Sequence, residues 1–242
     1  MTRALFMVTS AIETRYGIYT PDQRLEQTLE TIQCLRDRVP DCVISLNEVS
    51  GNGLQEQYST ALEEAVDYYL DFTNNTEVRT IYNKPEWVSN WDVVKNLTEL
   101  TTFPQSLKLL RDADALEGID RVFKMSGRYL LNDKFDMELY AQDHVRDRVV
   151  IGRDYPSQFP FQIVGLTHQY MCRLLSWPVV KHDDMITWYE KGRDYMISRM
   201  NMGGYADIEH CLYYAIPRDQ VYQLDEVGVY GNIAPNGVPI VN

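Results

Sequence analysis

The 242-residue chain contains few cysteines and no long apolar segment. Its four cysteines, Cys34, Cys42, Cys172 and Cys211, are scattered without CxxC spacing, which argues against a zinc ribbon and against a disulfide framework. No stretch of 18 apolar residues occurs, and the first apolar run, residues 4–8, is too short for the core of a signal peptide. We therefore expect a cytoplasmic protein with reduced thiols and no integral membrane segment.

Basic residues are also scarce. The chain has 23 Lys and Arg residues against 35 Asp and Glu residues, so its formal net charge is -12. This excess of negative charge argues against nucleic acid and anionic membranes as partners. It does not exclude a local basic pocket, because a phosphate group responds mainly to the few charges beside it.

What the sequence does contain is an alternation of strand-like and helix-like segments. Residues 4–8 and 42–46 are short apolar runs, and between them a segment that begins at Pro21 carries apolar residues at helical spacing. This order predicts a βαβ unit with parallel strands. Further helices are predicted over residues 54–74, 92–110, 183–200 and 206–215, and further strands over residues 78–82, 121–126 and 149–151.

These elements predict an α/β fold with an open, mostly parallel, Rossmann-type sheet and helices on both faces. Pro104 is expected to kink or split the helix over residues 92–110. The length predicts one domain, residues 1–242, and we divide it into a nucleotide-binding half, residues 1–125, and a second half, residues 126–242, that closes over it.

The most informative stretch is the end of the strand over residues 121–126. There Ser126-Gly127-Arg128 interrupts the apolar pattern, at the end of the strand where ligands bind in open α/β sheets. Lys124 and Arg128 are two cations on either side of a glycine that lets the backbone approach closely, an arrangement that suits a phosphorylated ligand. The alternative is a core strand that leads into a surface turn.

Three carboxylates are candidates for chemistry. Glu48, at the end of the second strand, is expected to accept hydrogen bonds from a ribose or a base, or else to be a solvated turn residue. Asp207 and Glu209 follow the glycines at 203–204, and a carboxylate at the mouth of a closing lobe is a good general base for an acceptor hydroxyl. The alternative is an acidic first helical turn, favoured by the helix dipole.

The sequence contains patterns of possible metal ligands, but none of them predicts a metal site. Asp112-Ala113-Asp114 has the DxD pattern of many sugar transferases, but it follows a helix rather than a strand, so we interpret it as a solvated helix end. Asp183 and Asp184, two adjacent carboxylates, and His210 are the remaining metal candidates. We therefore assign no metal site, and a divalent metal, Mn or Mg, stays open as a cofactor.

Taken together, four segments resemble the small GT-A-type glycosyltransferases, especially the short enzymes of phages, large DNA viruses and bacterial surface-polysaccharide loci. These segments are ALFMVTS at 4–10, VPD at 39–41, FKMSGRY at 123–129 and GYADIEHCL at 204–212. The resemblance implies a GT-A-like fold, a UDP-, GDP- or dTDP-linked sugar as donor, and hexose transfer to a hydroxyl of a glycan or small acceptor. It implies that the second half of the chain binds the acceptor.

The resemblance also assigns roles to residues. It places Thr9, Ser10 and Arg15 near the nucleotide and Glu48 near its ribose or base. Ser126-Gly127-Arg128 stands where GT-A enzymes usually carry the DxD, so our hypothesis is that Arg128, helped by Lys124, neutralises the leaving diphosphate. Glu209 is the preferred catalytic base and Asp207 the second choice.

Two other functions fit the same pattern. A nucleotidyltransferase that makes nucleotide sugars shares the topology of the first half, but it is expected to carry a glycine- and basic-rich loop after the first strand. Here that loop has only Arg15 and Gly17. A non-catalytic module that binds nucleotides or glycans is the other alternative.

Overall fold

The computed structural model describes residues 2–51, 53–87, 89–157, 168–232 and 236–241. The strands are β1 Ala4–Ser10, β2 Val43–Glu48, β3 Tyr68–Asp71, β4 Arg121–Ser126, β5 Tyr129–Leu131, β6 Val149–Pro156, β7 His168–Pro178, β8 Val221–Leu224, β9 Val229–Asn232 and β10 Pro239–Val241. The helices are α1 Pro21–Arg38, α2 Glu56–Ala65, α3 Thr76–Asn83, α4 Trp91–Asp112, α5 His182–Asn201 and α6 Ile208–Ala215. None of the described helices is long and apolar enough to span a membrane.

A seven-stranded sheet with the order β3-β2-β1-β4-β7-β6-β8 forms the centre of the protein. The pairs β2/β3, β1/β2, β1/β4 and β6/β8 are parallel, whereas β7 is antiparallel to both β4 and β6. Only β7 therefore runs against the common direction. The expected βαβ unit and the mostly parallel sheet are confirmed, and strands from both halves of the chain contribute to the sheet.

Helices cover both faces of this sheet, as expected. Alternate residues of β1 show the division: Leu5 and Met7 lie in an apolar core with α3 to α6, and Phe6 and Val8 lie in a second core with α1 and α2. A strand buried on both faces appears as an unbroken apolar run, which explains the pattern of residues 4–8.

The first helix begins where the sequence predicts. Thr20 is its N-cap, and its side chain accepts from the backbone N–H of Gln23, whose side chain accepts in return from the backbone N–H of Thr20. Pro21 occupies the first turn, where its missing N–H costs nothing. This capping box fixes the direction in which the loop after β1 enters α1.

The prediction of one helix over residues 54–74 is wrong. Helix α2 ends at Ala65, and Tyr68–Asp71 forms the edge strand β3, which pairs in parallel with β2. The tyrosines of this segment favour a strand, because aromatic residues fit a pleated, half-buried surface. The strand pairs with the free edge of β2, and the spacing of apolar residues in the sequence could not reveal that partner.

The strand predicted over residues 78–82 is also wrong, because this segment belongs to α3. The side chain of Asn75 accepts from the backbone N–H groups of Glu77 and Val78 and so caps the helix. Val78, Ile81 and Tyr82 are buried at the spacing of a helical face.

Of the two outcomes expected at Pro104, a kink or a split of α4, the split does not occur. The helix runs without a break for 22 residues, and 13 of them are buried. A proline inside a helix costs about 3 kcal/mol. Burial of this many side chains contributes more than that, at about 1.5–3 kcal/mol for each large apolar one. The DxD at 112–114 is exposed at the end of this helix, as expected.

Arg121, the first residue of β4, connects this strand to β7 and to the segment that precedes β6, and only 2 % of it is exposed. Its Nε donates to the Ser176 hydroxyl at 3.0 Å, and its terminal nitrogens donate to the carbonyls of Arg146 at 3.2 Å and Arg148 at 2.6 Å. The guanidinium also lies 5.0 Å from the ring centre of Tyr140. Burial lowers the pKa of Arg121 to about 10.

Replacing Arg121 with methionine is expected to lower the free energy of unfolding by about 2–4 kcal/mol, because two partly buried carbonyls and the buried Ser176 hydroxyl lose their donor. Urea unfolding measures this loss. The matched control is Arg153→Met, which removes an exposed ion pair with Asp225. An equal, small effect of both substitutions would contradict this role of Arg121.

Candidate functional site

A cavity opens at the edge of the sheet where β1, β2 and β4 end, beneath α4. Its walls come from these strand ends, from the loop between β1 and α1, and from α1, α3 and α4. The lining residues are Thr9, Ser10, Ala11, Thr14, Tyr16, Gly17, Arg24, Asn47, Val49, Tyr82, Trp91, Lys95, Thr98, Glu99, Thr102, Ser126 and Arg128. The cavity thus lies at the ends of the strands, the usual ligand position in this class of sheet.

Three polar side chains form a row across the strand ends. Thr9 pairs with Asn47 of β2 on one side and with Ser126 of β4 on the other, so all three point to the α4 face. Asn47 is 1 % exposed, and neither its amide oxygen nor its amide nitrogen has a hydrogen-bond partner among the described residues. A buried amide without partners is rare and costly, which points to a ligand or water in the cavity.

Helix α4 forms the opposite wall with a polar stripe. Trp91, Lys95, Thr98, Glu99 and Thr102 recur every three or four residues and all line the cavity. The Thr98 hydroxyl is buried and has no hydrogen-bond partner in the described part of the chain. The leucine stripe that identified this helix in the sequence faces the core instead.

Gly127 makes room for α1 beside the cavity. Its N–H donates to the carbonyl of Thr9 at 2.9 Å, and a Cβ at this position would lie 3.0 Å from the Thr28 hydroxyl of α1. The glycine therefore allows close packing of strand end and helix, and it directs the next residue, Arg128, into the cavity wall.

Glu48, at the end of β2, is fully buried and bound by protein donors. Its carboxylate accepts from the backbone N–H of Ile12 at 3.2 Å, from that of Ser50 at 2.9 Å, and from the hydroxyls of Ser10 and Ser50. Burial raises the pKa of Glu48, and these four hydrogen bonds oppose that rise. Glu48 thus joins the loops that follow β1 and β2.

Four of the expected donor-binding residues lie outside the cavity wall: Glu48, Gly127, Lys124 and Arg15. Lys124 is buried and forms an ion pair with Glu99, which holds the pKa of Lys124 above its ordinary value against the effect of burial. Arg15 is exposed, and one of its terminal nitrogens lies 3.5 Å from the side-chain oxygen of Asn83. Thr9, Ser10, Ser126 and Arg128, by contrast, line the cavity.

Glu209 lies in the first turn of α6 and is not among the residues that line the cavity. Burial raises the pKa of its carboxyl; the neighbouring Asp207 and Glu99 raise it further, and Lys95 opposes them. Lys95 and Glu99 both line the cavity, so the Glu209 carboxylate interacts electrostatically with two residues of its wall. A carboxylate with a raised pKa is a common property of catalytic bases.

Asp207 and His210 are engaged with each other. Asp207 is the N-cap of α6, where it accepts from the backbone N–H of His210 at 3.0 Å and also contacts the ring Nδ1. The ring Nε2 lies 2.9 Å from the Ser157 hydroxyl. With Nδ1 protonated, the buried ring donates to Asp207 and accepts from Ser157, so this chain connects the end of β6 to α6.

The metal candidates do not converge. Asp183 and Asp184 lie in the first turn of α5, and Asp183 forms an ion pair with Arg111 at 2.9 Å. His210 is occupied by Asp207 and Ser157. Among the described residues, no three His, Cys, Asp or Glu side chains are grouped so that they could hold a metal ion.

Comparison with known proteins identifies the fold. No protein-family model matches the chain, and no curated protein matches it. Among solved structures it is similar to core-mannan synthase A (CmsA/Ktr4) from Aspergillus fumigatus in an Mn/GDP form, with a TM-score of 0.51 and 10% sequence identity. The match covers 96% of this chain and 74% of that one. The chain therefore has the GT-A-like fold that the sequence predicts.

Sequence reasoning missed much of the cavity wall. Arg24 and Asn47 were not identified, although Asn47 directly precedes Glu48 at a strand end. The polar stripe from Trp91 to Thr102 was a usable signal, since polar residues at helical spacing opposite an apolar stripe mark a second buried face.

The role of Glu48 gives a stability prediction. Glu48→Leu is expected to lower the free energy of unfolding by about 2–4 kcal/mol, because it leaves two buried backbone N–H groups without an acceptor. Glu48→Gln should lose less than half as much, since an amide oxygen can accept from the same two groups. Urea unfolding of both variants tests this, with the exposed Glu64→Leu as control; a Leu variant as stable as the control would contradict it.

Proposed function

We propose that this protein is a glycosyltransferase that moves a hexose from a nucleotide-sugar donor to a hydroxyl of a glycan or small acceptor. The observation that carries the proposal is the cavity at the strand ends of a GT-A-like sheet, whose wall contains Arg128 as a partner for an anionic donor. Synthesis of a surface polysaccharide or another glycoconjugate is the setting that the sequence resemblance implies. Residues 1–125 supply most of the donor site, and residues 126–242 supply Arg128 and the acceptor side.

Donor binding draws on the unpaired polar groups of the cavity. The amide of Asn47 and the hydroxyl of Thr98 can exchange hydrogen bonds with the hydroxyls of a ribose or sugar, or with the edge of a base. Tyr82 and Trp91 add aromatic faces to the same wall, which suit a base or a sugar ring. Thr9, Ser10 and Ser126 complete the polar floor.

Glu48 supports this site indirectly in our proposal. Its four hydrogen bonds go to protein groups, so its contribution is to hold Ser10 and the following loop in place beneath the donor. Arg15, exposed at the rim, is available to the outer part of a bound nucleotide only if the loop that carries it closes inward.

Glu209 is the base that we propose for transfer by direct displacement. The acceptor oxygen forms a bond to the anomeric carbon while the bond from that carbon to the diphosphate oxygen breaks, and the diphosphate leaves with the electron pair. The acceptor proton passes to the Glu209 carboxylate. Asp207 is the less suitable base because it already accepts from the backbone N–H and the ring of His210.

A panel of UDP-, GDP- and dTDP-linked sugars tests the function. We expect one nucleotide class to raise the melting temperature and to release free nucleotide on incubation, because binding to the folded state stabilises it.

Thr98→Val, which removes an unpaired hydroxyl without changing the shape of the side chain, should weaken donor binding, whereas Thr80→Val on the exposed side of α3 should not. Stabilisation without nucleotide release would indicate a binding module, and neither effect with any donor would contradict the proposal.

The pH dependence tests the base. Glu209 must be ionised to accept a proton, and its pKa is raised above the value of about 4.3 for an ordinary glutamate. As the pH is lowered, kcat/KM should therefore begin to fall at a pH above the one at which an ordinary glutamate would cause the fall. Glu209→Gln should abolish this limb and reduce kcat by about 100-fold or more while donor affinity is kept. Unchanged turnover in the Gln variant would show that another group is the base.

A further inference from the structure

Two arginines line the cavity from different elements. Arg24 comes from α1 and is 5 % exposed, and Arg128 follows β4 and is partly buried in the same wall. They are close enough that the charge of Arg128 lowers the pKa of Arg24, which burial already lowers. Two like charges in a buried place are unfavourable unless an anion accompanies them.

The donor groups of this pair are only partly used. Arg24 donates to the carbonyls of Tyr19 at 3.3 Å, Ala11 at 3.4 Å and Tyr16 at 2.8 Å, which leaves two of the five N–H groups of an arginine for other acceptors. The Nε of Arg128 is buried and has no hydrogen-bond partner in the described part of the chain.

Among the described residues, no carboxylate forms an ion pair with Arg24 or Arg128, although Glu48 acts to raise the pKa of Arg24 and Glu99 that of Arg128. Glu48 is occupied by Ser10, Ile12 and Ser50, and Glu99, the one carboxylate in the cavity wall, is paired with Lys124. An arginine cannot relieve the repulsion by losing its proton, because it stays charged in proteins. Neither arginine therefore has a direct anionic partner, and a bound anion would supply one.

We infer that Arg24 and Arg128 form a diphosphate subsite that works without a metal ion. Planar guanidinium groups bind phosphate oxygens in pairs, and two of them supply the positive charge that a divalent cation would otherwise bring to a diphosphate. Lys95, on the opposite wall, adds a third cation. This inference rests on the proposed function, since it assigns the diphosphate of a nucleotide-sugar donor to this pair.

The residues present do not fit a divalent metal at this position. Mg²⁺ and Mn²⁺ need several oxygen ligands, usually carboxylates, whereas Ser126 and Arg128 stand at the strand end, and Glu99 is already paired. The residues that the structure does not describe include no Asp, Glu, His or Cys. A cation placed here would also be repelled by the two arginines.

Inorganic pyrophosphate is the probe that tests the subsite, titrated calorimetrically into the full chain in EDTA and again with Mn²⁺. We expect pyrophosphate to bind in EDTA. We also expect that Mn²⁺, even in excess over pyrophosphate, does not increase the affinity. Arg128→Met should weaken it by about ten- to a hundredfold. Arg24→Lys keeps the charge but loses the planar fork, so a smaller loss is expected, and Arg153→Met, far along β6, serves as the unaffected control.

The outcomes separate this inference from the proposed function. Equal affinity of wild type and Arg128→Met, with both melting at the same temperature without ligand, would overturn the subsite. Binding of pyrophosphate or donor only when Mn²⁺ is present would also overturn it, while glycosyl transfer stood. Arginine-dependent binding of pyrophosphate in EDTA, with no nucleotide sugar used, would support the subsite and refute the glycosyltransferase.

Discussion

The buried carboxylate of Glu48 is the interaction on which the arrangement of the candidate site depends. It lies at the end of β2 and accepts from Ser10, Ile12 and Ser50, so it joins the two loops that leave the sheet at neighbouring strands. A buried carboxylate is costly unless donors surround it, and these loops satisfy it in this one conformation. With the loops fixed, Asn47 keeps its register beside Thr9 and presents its amide to the cavity.

The electrostatics of the cavity run against those of the whole protein. A chain with net charge -12 places Arg24, Lys95 and Arg128 around one cavity. Glu99, the carboxylate among the described lining residues, is paired with Lys124. Net charge acts on a ligand at long range, and ions in solution screen this electrostatic interaction over about 10 Å. A bound anion depends on the few charges that touch it, so overall acidity and a cationic subsite are compatible.

Local patterns predicted the first βαβ unit well, because β1, α1 and β2 carry consistent apolar periodicity and a clear capping sequence. Prediction failed where the environment decides between two structures. The segment that became β3 continues a helical pattern in sequence, and only the free edge of β2 makes it a strand. The segment that became α3 is short and apolar, a pattern that does not distinguish a strand from a helix. The cap that Asn75 provides favours the helix.

By itself, the sequence determined an α/β sheet with its polar residues at the strand ends, since strand patterns show where a strand stops and which side chains follow. On that basis Ser126 and Arg128 could be placed at the ligand-binding edge, whereas Thr9 and Ser10 were assigned to the site by the family resemblance. Only the tertiary structure decided which other groups meet them: Arg24 from α1 and the polar stripe of α4 lie far from Arg128 in the chain. It also paired Lys124 with Glu99. The reason is physical, because a charge's partner depends on distances that exist only after the sheet and its helices have packed.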